Sequence, residues 1–433
     1  SLLETLLNKA LLPTFSFPTD VCDFVVRGTD EDRQPKTKYE MSRDLKQALS
    51  TYVPGRDIVV DKKTYRSYGL HFKFPKHPVN RASGVDWENL DWLNFCPRCE
   101  TVFDQKDENM HQKGVECSVC EEEKLQSIQM YTPEAFAPKV DSRGSPEESE
   151  NKDDERVYAT PPKYPLTPTS RDIEFVERLQ GAKSFGPSTA GRLDNEQLLV
   201  ANFGPDQEGF EVCTKCGAVG RDGDLGSSHN RPYPKDMTTV KEYDWDEKCS
   251  GSTVTTCFTH SFPSDLTVLR IPLESPMRFV PDADWFESAA QSLSEALVMG
   301  SSRALGIESD ELEGGFRTRS AELSDKDDVR GFIEIFLFDT TSGGAGFSLR
   351  VWETFEEVLD EAKNILFNCS CDSAFHNCLQ PYQKRHLHDA LNGHQGLALY
   401  DYACNGIPPL GADSDAQTLT EQLERSLQLQ EPD

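Results

Sequence analysis

The sequence has few basic residues and no long apolar run. Its 45 Lys and Arg residues are outnumbered by 74 Asp and Glu residues, so the 433-residue chain has a formal charge of -29. Electrostatic attraction alone does not make so acidic a chain bind nucleic acid, and any contact with DNA requires a local patch or a partner. The apolar runs fall short of the roughly 18 residues that a membrane helix needs. We therefore expect a cytoplasmic protein without a membrane span. The sequence begins at Ser1 with no basic n-region and no small-residue cleavage site, so we also expect it to be the interior of a longer chain.

The sequence also lacks familiar catalytic motifs. It contains no Gly-x-Ser-x-Gly elbow, no His-Glu-x-x-His motif and no helicase motor motif. A glycine-rich turn at 342–346 follows a predicted strand, but the Lys-Ser/Thr pair of a nucleotide-binding P-loop does not follow it. These absences predict that the chain is not an enzyme. A cryptic nuclease around Asp339 is the less favoured alternative.

Cysteines are plentiful, and most of them are clustered. Eleven of the thirteen fall into three groups, and only Cys22 and Cys404 stand apart. In a long chain without secretory features, such groups indicate metal ligands rather than disulfides. The first group has two Cys-x-x-Cys knuckles separated by 17 residues: Cys96, Cys99, Cys117 and Cys120. Two such knuckles aim four thiolates at one tetrahedral centre, which predicts a structural zinc ribbon with no open position for water.

The second group has one good knuckle and an open choice of partners. The knuckle is Cys213-Thr214-Lys215-Cys216, and the glycine that follows it allows the tight turn. Cys249, after 32 intervening residues, is the expected third ligand. The fourth ligand could be His229, Cys257 or His260, and we narrowly favour His229. The pattern predicts a second zinc site.

The third group is compact, but its fourth ligand is open. Three cysteines lie within ten residues directly after a predicted helix: Cys369, Cys371 and Cys378. His376 would complete a Cys3His site, with His386 and His388 as alternatives, and a buried knot of thiols without metal is the other interpretation. The sequence therefore predicts zinc as the cofactor, with two sites expected and a third left open.

The order of predicted elements indicates a mixed α/β, or α+β, multidomain fold in which small zinc-ribbon modules precede a C-terminal α/β domain with its own Cys cluster. A segment rich in Pro, Ser, Asp and Glu separates two halves of the chain. We place the boundaries as follows: an N-terminal α/β module at 1–90, a zinc ribbon at 91–138, an acidic linker or mobile loop at 139–171, a second zinc-binding module at 172–280, and the C-terminal α/β domain at 281–433.

Several short strings, taken in order, resemble one family. They are Leu11-Leu12-Pro13 with Phe17-Pro18, Ser42-Arg43-Asp44-Leu45, Tyr131-Thr132-Pro133-Glu134-Ala135-Phe136, His260-Ser261-Phe262, Phe338-Asp339-Thr340 with Gly343-Gly344-Ala345-Gly346-Phe347, and Cys369-x-Cys371 to Cys378-Leu379. This ordered set resembles DrmB-like proteins of the DISARM antiphage defence system, which carry the zinc-binding domain also found in MrfA-type helicases. Where the family has a further cysteine in its last cluster, this sequence has Phe375, so a histidine such as His376 would have to replace it.

The resemblance implies an accessory zinc-binding subunit that partners an SNF2-like helicase, DrmA, on DNA. The partner would hydrolyse ATP and supply most of the grip on DNA. A local patch of basic and aromatic residues could add a direct contact, although a solvated helix face is the plainer interpretation: Arg98, Tyr382, Lys384 and Arg385. An independent nucleic-acid-binding zinc protein is the alternative function.

Overall fold

The structure is a computed structural model, and it describes most of the chain in separate ranges. The described residues are 20–29, 35–98, 101–103, 115–117, 124–140, 158–165, 178–220, 225–235, 240–241, 245–273, 284–308, 310–322, 329–340, 345–368 and 391–409.

The N-terminal part is a five-stranded sheet with one short helix. The strand order is β2-β1-β8-β4-β3, and β1 runs parallel to β8 while the other pairs are antiparallel. Helix α1, Leu45–Thr51, begins where the side chain of Asp44 accepts a hydrogen bond from the backbone N–H of Lys46 at 2.9 Å. The strands are β1 Val21–Thr29, β2 Pro35–Asp44, β3 Asp57–Val60, β4 Lys63–Leu70 and β8 Ala135–Pro138.

A ten-stranded sheet built around one very long strand forms the centre of the molecule. Strand β15, Thr253–Leu273, pairs with β10, β11, β17 and β7. Its sequence is rich in β-branched and aromatic residues, which favours the extended conformation over all 21 residues. The other strands are β5 Trp92–Phe95, β6 Val102–Phe103, β7 Gln126–Tyr131, β9 Gln180–Phe185, β10 Ser188–Asn202, β11 Phe210–Cys213, β12 Val219–Gly220, β16 Leu312–Glu322 and β17 Val329–Asp339. A separate two-stranded ladder joins β13 His229–Asn230 to β14 Lys248–Cys249.

Four helices form a layer on one face of the central sheet. They are α2 Asp284–Leu305, α3 Phe347–Glu353, α4 Phe355–Phe367 and α5 Gly393–Asn405. Apolar residues recur along one face of each longer helix, as in α4, where Val358, Ala362 and Ile365 are buried. Helices α2 and α4 approach each other closely at Gly300, since a Cβ atom there would lie 2.8 Å from the carbonyl oxygen of Val358. This layer and the sheet enclose the largest apolar core of the C-terminal region.

A second core joins the N-terminal sheet to the opposite face of the central sheet. Aromatic rings meet there, with the Phe136 and Phe258 centroids 5.5 Å apart and those of Phe210 and Phe258 4.6 Å apart. Such pairs contribute about 0.5–1.5 kcal/mol beyond their buried area. The two sheets are therefore packed against each other through a continuous apolar interior.

A buried row of charges lies across three neighbouring strands of the central sheet. The carboxylate of Glu334 on β17 lies 2.6 Å from Arg317 Nε on β16 and 3.4 Å from Arg270 Nε on β15. The Arg317 guanidinium also donates to the carbonyl oxygens of Tyr164 and Pro165, at 3.0 and 2.7 Å. A buried carboxylate requires such paired donors. The row thus fastens the segment 158–165 to the sheet.

The predicted mixed α+β multidomain fold is confirmed. The central sheet contains strands from three of the segments that the sequence analysis separates, and the exact domain boundaries stay a prediction. Most of the predicted linker, 139–171, lies outside the described residues, although 158–165 is packed as above. Among the described helices, none is both long and apolar enough to cross a membrane.

Candidate metal centre

Three cysteines and one histidine converge beside the edge of the central sheet. Cys213 ends β11, Cys216 follows in the knuckle turn, His229 begins β13 and Cys249 ends β14. Their ligand atoms all lie within 4.8 Å of one another, and all four residues are buried. In the part of the chain that the structure describes, this is the only such group of potential metal ligands.

The spacing of the ligand atoms fits zinc. Cys213 Sγ and Cys249 Sγ are 3.8 Å apart, and Cys216 Sγ lies 3.3 Å from His229 Nε2. Two sulfurs that each lie about 2.3 Å from a tetrahedral zinc ion are about 3.8 Å apart, and a sulfur–nitrogen pair is slightly closer. The donor set itself, three thiolates and one imidazole, is a structural zinc set with no open position.

The knuckle is shaped by backbone donors that point at the sulfurs. The backbone N–H of Cys216 donates to Cys213 Sγ and that of Ala218 donates to Cys216 Sγ, both at 3.5 Å. Gly217 provides the sharp turn between them with a φ of +80°, in the left-handed region that favours glycine. Because these donors stabilise negative charge on sulfur, the turn is built for thiolates.

The thiols do not ionise evenly without a cation. Hydrogen bonds from Cys213 and Cys216 lower the pKa of the Cys249 thiol, and the hydrogen bonds to Cys213 and Cys249, together with burial, raise the pKa of Cys216. Three thiolates packed this closely repel one another, and a divalent cation removes that repulsion by displacing the shared protons. The protonation pattern therefore agrees with a metal-binding role.

The centre is joined directly to the N-terminal sheet. The backbone N–H of Leu70, at the end of β4, donates to the Gly217 carbonyl at 2.8 Å, and Gly69 forms a β-bridge with Ala218. The backbone N–H of Ala82 donates to the carbonyl of Lys215 at 3.2 Å. Cys213 lies on a strand paired with β15, whereas His229 and Cys249 lie on the β13–β14 ladder. Zinc held here would therefore join the ladder to the central sheet, while the backbone hydrogen bonds join the knuckle to the N-terminal sheet.

An arginine and a tyrosine that the sequence analysis missed support the centre. Arg231, two residues after His229, is buried and donates to the carbonyl oxygens of Asp246 and Val79, at 2.8 and 2.9 Å. It also donates to the Tyr233 hydroxyl at 3.1 Å, and that hydroxyl hydrogen-bonds to the Val79 carbonyl. A zinc ion with three thiolates and one neutral histidine has a net charge of -1, which the buried guanidinium balances. Its position two residues after the ligand His229 is the sequence feature from which Arg231 could have been predicted.

The other candidates for this centre lie elsewhere. Cys257 is fully buried in a separate apolar cluster with Leu93 and Ile128, and burial raises the pKa of its thiol. His260 stacks on the ring of Phe262 and burial lowers its pKa. Both residues are therefore ordinary interior residues of β15.

The remaining predicted ligands are only partly described. Cys96 and Cys117 are both buried, whereas the other two members of the first cluster and the whole third cluster lie outside the described residues: Cys99, Cys120, Cys369, Cys371, His376 and Cys378. Of the basic and aromatic patch considered above, Tyr382, Lys384 and Arg385 also lie outside them. The ligand assignments at these two clusters stay predictions.

Asp339, around which a cryptic nuclease was considered, has a structural role. Its carboxylate accepts backbone hydrogen bonds from Ala345, Gly346 and Ser348 at 2.6–2.8 Å, and burial raises its pKa. These bonds bind the turn before α3 to the end of β17.

Comparison with known proteins relates the chain to a defence protein and a helicase. Residues 293–379 match the model of the MrfA Zn-binding domain family. The chain is 30% identical over 448 aligned residues to the Druantia protein DruE of Escherichia coli (strain UMEA 4076-1), an alignment that covers 99% of this chain and 23% of DruE. The chain thus spans about a quarter of the length of that relative.

Solved structures of the helicase MrfA are more distant. The structure bound to DNA has a TM-score of 0.37 and 11% identity, covering 90% of this chain and 35% of MrfA. The structure without DNA has a TM-score of 0.28 and 9% identity, covering 85% of this chain and 34% of MrfA.

These relatives bear on two predictions, the metal and the absence of enzymatic activity. Zinc is supported as the metal, by the matched Zn-binding domain and by the Cys3His centre, while the number of sites stays a prediction. The prediction that the protein is not an enzyme is wrong, because the chain aligns with only 23% of a longer relative, DruE, and its solved relative MrfA is a helicase. That prediction relied on missing motor motifs, and their absence from a stretch that spans 23% of DruE says nothing about the rest of a longer protein.

Proposed function

We propose that this chain is the zinc-stabilised part of an antiphage defence protein that acts on DNA with a helicase motor. The observation that carries the proposal is the 30% identity with the defence protein DruE along 99% of the chain. A likeness that extends from end to end involves the whole arrangement of sheets and helices, rather than one portable zinc motif. The match of residues 293–379 to the MrfA Zn-binding domain also supports this proposal.

We infer that the motor belongs to the same polypeptide. The chain aligns with only 23% of DruE, which leaves ample length for a motor elsewhere in a protein of that kind. In this arrangement the five predicted segments, from 1–90 to 281–433, are an accessory region beside the motor. The Cys3His centre would hold the β13–β14 ladder against the central sheet, at the point where the knuckle also shares backbone hydrogen bonds with the N-terminal sheet.

Zinc in this proposal occupies up to three sites. The four ligands Cys213, Cys216, His229 and Cys249 would hold one ion, and the first cluster would hold another through its paired knuckles. The third cluster, residues 369–378, falls at the end of the matched Zn-binding domain. We therefore propose Cys369, Cys371, Cys378 and His376 as the ligands for which that domain is named.

A DISARM-type arrangement is the second candidate. The ordered strings shared with DrmB-like proteins favour it, and it would give the motor to a separate SNF2-like helicase, DrmA, in the cytoplasm. The two candidates differ in one measurable property. Purified polypeptide carrying this chain hydrolyses ATP alone if the motor is part of it, and only after addition of a second subunit if the motor is DrmA.

The experiment expresses the natural gene, with its neighbours, in a phage-sensitive host and measures plaque formation and DNA-stimulated ATP hydrolysis. Cys249→Ser removes a proposed zinc ligand, and Cys257→Ala is the matched control because Cys257 is equally buried but lies outside the centre. We expect protection and DNA stimulation to fall sharply with Cys249→Ser and to persist with Cys257→Ala. Loss of zinc with full protection would contradict the proposed role of the centre. No protection by the wild-type genes would contradict the defence function.

A further inference from the structure

One stretch of the chain has a charge opposite to that of the whole. Residues 62–85 contain no Asp or Glu, whereas about four would be expected at the average acidic content of the chain. The same stretch contains six cations: Lys62, Lys63, Arg66, Lys73, Lys76 and Arg81. In a protein with a formal charge of -29, such a segment is where a polyanion meets least repulsion.

Residues 71–81, within this stretch, form a loop whose shape is fixed by hydrogen bonds. At its start the backbone N–H of His71 donates to the carbonyl of Ala135 at 2.8 Å, directly after the contact between Leu70 and the zinc knuckle. In its middle, His77 Nδ1 accepts from the backbone N–H groups of Val79 and Asn80, at 3.2 and 3.0 Å. The loop is therefore preorganised by the sheet and the metal centre together.

An aromatic ring projects from this loop into solvent. The side chain of Phe74 is 90% exposed, the largest exposure among the large apolar residues that the structure describes. It lies between the exposed residues Lys73 and Lys76. A lone ring between cations is the pattern with which proteins stack an unpaired base while binding the phosphates next to it. Bases in a duplex are already stacked, so the ring selects a single strand.

Polar atoms without a partner lie at the root of the loop. Both ring nitrogens of His71 and Nε of Arg27 are buried without a hydrogen-bond partner among the described residues. Burial, with Arg81 and Arg27 nearby, lowers the pKa of His71 to about 3, so its ring is neutral. The Lys73 ammonium is paired with Asp23 at 2.7 Å, and the side chain of Glu134 accepts the backbone N–H of Lys73. The exposed Lys76 is therefore the cation beside Phe74 that can meet a phosphate.

We propose that residues 71–81 form a single-stranded nucleic-acid contact, with a base stacked on Phe74 and a backbone phosphate at Lys76. The inference rests on the proposed action on DNA and names the surface that performs it. It differs from the patch expected from the sequence around Lys384. The lack of acidic residues across 62–85 and the exposed ring of Phe74 are independent observations that point to the same loop.

The test measures binding of the full protein to a fluorescent single-stranded oligonucleotide, and to its duplex, across a range of salt concentrations. Phe74→Ala with Lys76→Glu alters the proposed surface. The control, Ile407→Ala with Lys183→Glu, makes the same change of charge and also removes an exposed apolar side chain, because Ile407 is 57% exposed and the Lys183 side chain 52% exposed. We expect about a tenfold or greater loss of single-strand affinity for the first pair and little loss for the control. The slope of affinity against salt should also fall by about one phosphate contact.

The outcomes separate this inference from the proposed function. If the wild-type protein binds no DNA, the proposed function fails and the inference with it. If the wild type binds and the altered surface binds equally well, the inference alone is wrong. An equal loss of duplex and single-strand binding would overturn the stacking role of Phe74, and unchanged DNA binding with loss of a protein subunit would identify the loop as a protein-docking surface instead. Zinc content and circular dichroism check that the altered protein is folded. If either measurement differs from the wild type, the single variant Lys76→Glu is tested in place of the double variant.

Discussion

The Cys3His centre and the C-terminal helical layer are stabilised in opposite ways. The core of the helical layer contains 27 buried residues contributed by helices α2 to α5 and by strands of the central sheet. The cluster at the metal centre contains six, and three of those are the cysteines themselves. The paired strands beside it, β13 and β14, are two residues long. The layer is therefore stable through apolar burial, whereas the centre needs a cross-link.

The difference explains where zinc is needed. Fully burying a large apolar side chain contributes about 1.5–3 kcal/mol, so a layer of many such residues does not depend on any one contact. A loop from Cys216 to Cys249 with so small a core does not offset the entropy of ordering its backbone. In this protein a metal would take the place of a core at the knuckle and the β13–β14 ladder, whereas the two sheets themselves are joined by apolar packing. The following predictions test this difference.

Removing a zinc ligand should have the largest effect. Cys216→Ser is expected to lower the zinc content by one ion per chain and to expose the backbone amides of 210–220 and of Leu70 to hydrogen exchange. Structural zinc contributes about 10–16 kcal/mol in isolated zinc-finger peptides, which bounds the local loss. The amides of α2 and α4 should keep their protection, because their core has no contact with the centre. Elemental analysis and hydrogen exchange with mass spectrometry measure both quantities.

Cys257→Ala is the control for this prediction. It removes a fully buried thiol from β15 without touching the four ligands, so zinc content should stay the same while stability falls slightly. If Cys216→Ser instead deprotects the helical layer as strongly as the knuckle, the two regions are one cooperative unit and the comparison fails.

A cavity in the helical layer should have the second-largest effect. Leu293 on α2 is completely buried, and Leu293→Ala is expected to lower the free energy of unfolding by about 2–5 kcal/mol. Zinc content should not change, in contrast with the first variant. Glu287→Ala, at an exposed position of the same helix, should stay within about 0.5 kcal/mol of the wild type. Thermal unfolding followed by circular dichroism, with zinc analysis on the same samples, would expose any coupling between the regions.

The sequence made parts of both regions predictable. In the helical layer, the spacing of Val358, Ala362 and Ile365 indicates the helix that the structure contains. At the centre, the Cys213–Cys216 knuckle and the distant Cys249 indicate a shared metal, because cysteines at such spacing have few other uses in a long chain. Periodicity and ligand chemistry are local properties, which is why they can be read from the sequence.

Long-range pairing could not be read in this way. Nothing local to residues 92–131 shows that their strands join the sheet of β15, because a strand edge pairs with whichever edge the rest of the fold presents. The contact of Gly217 with Leu70 and the balancing charge of Arg231 depend on that same assembly. The motor could not be inferred either, since its absence from one stretch is uninformative about a longer relative.

The smallest effect is expected from one methyl group between the two sheets. Gly217→Ala would place a Cβ atom 2.7 Å from Cε2 of Phe72, on a residue with a φ of +80°. Gly226, between β12 and β13, also has a positive φ, +54°, but a Cβ atom there meets nothing within 4 Å. The left-handed conformation costs an alanine about 1–2 kcal/mol at either position. Only Gly217→Ala additionally displaces the Phe72 ring, so it should weaken zinc binding, measured by chelator competition, more than Gly226→Ala does. Equal zinc affinities in the two variants would mean that the knuckle binds its metal independently of its contact with the N-terminal sheet.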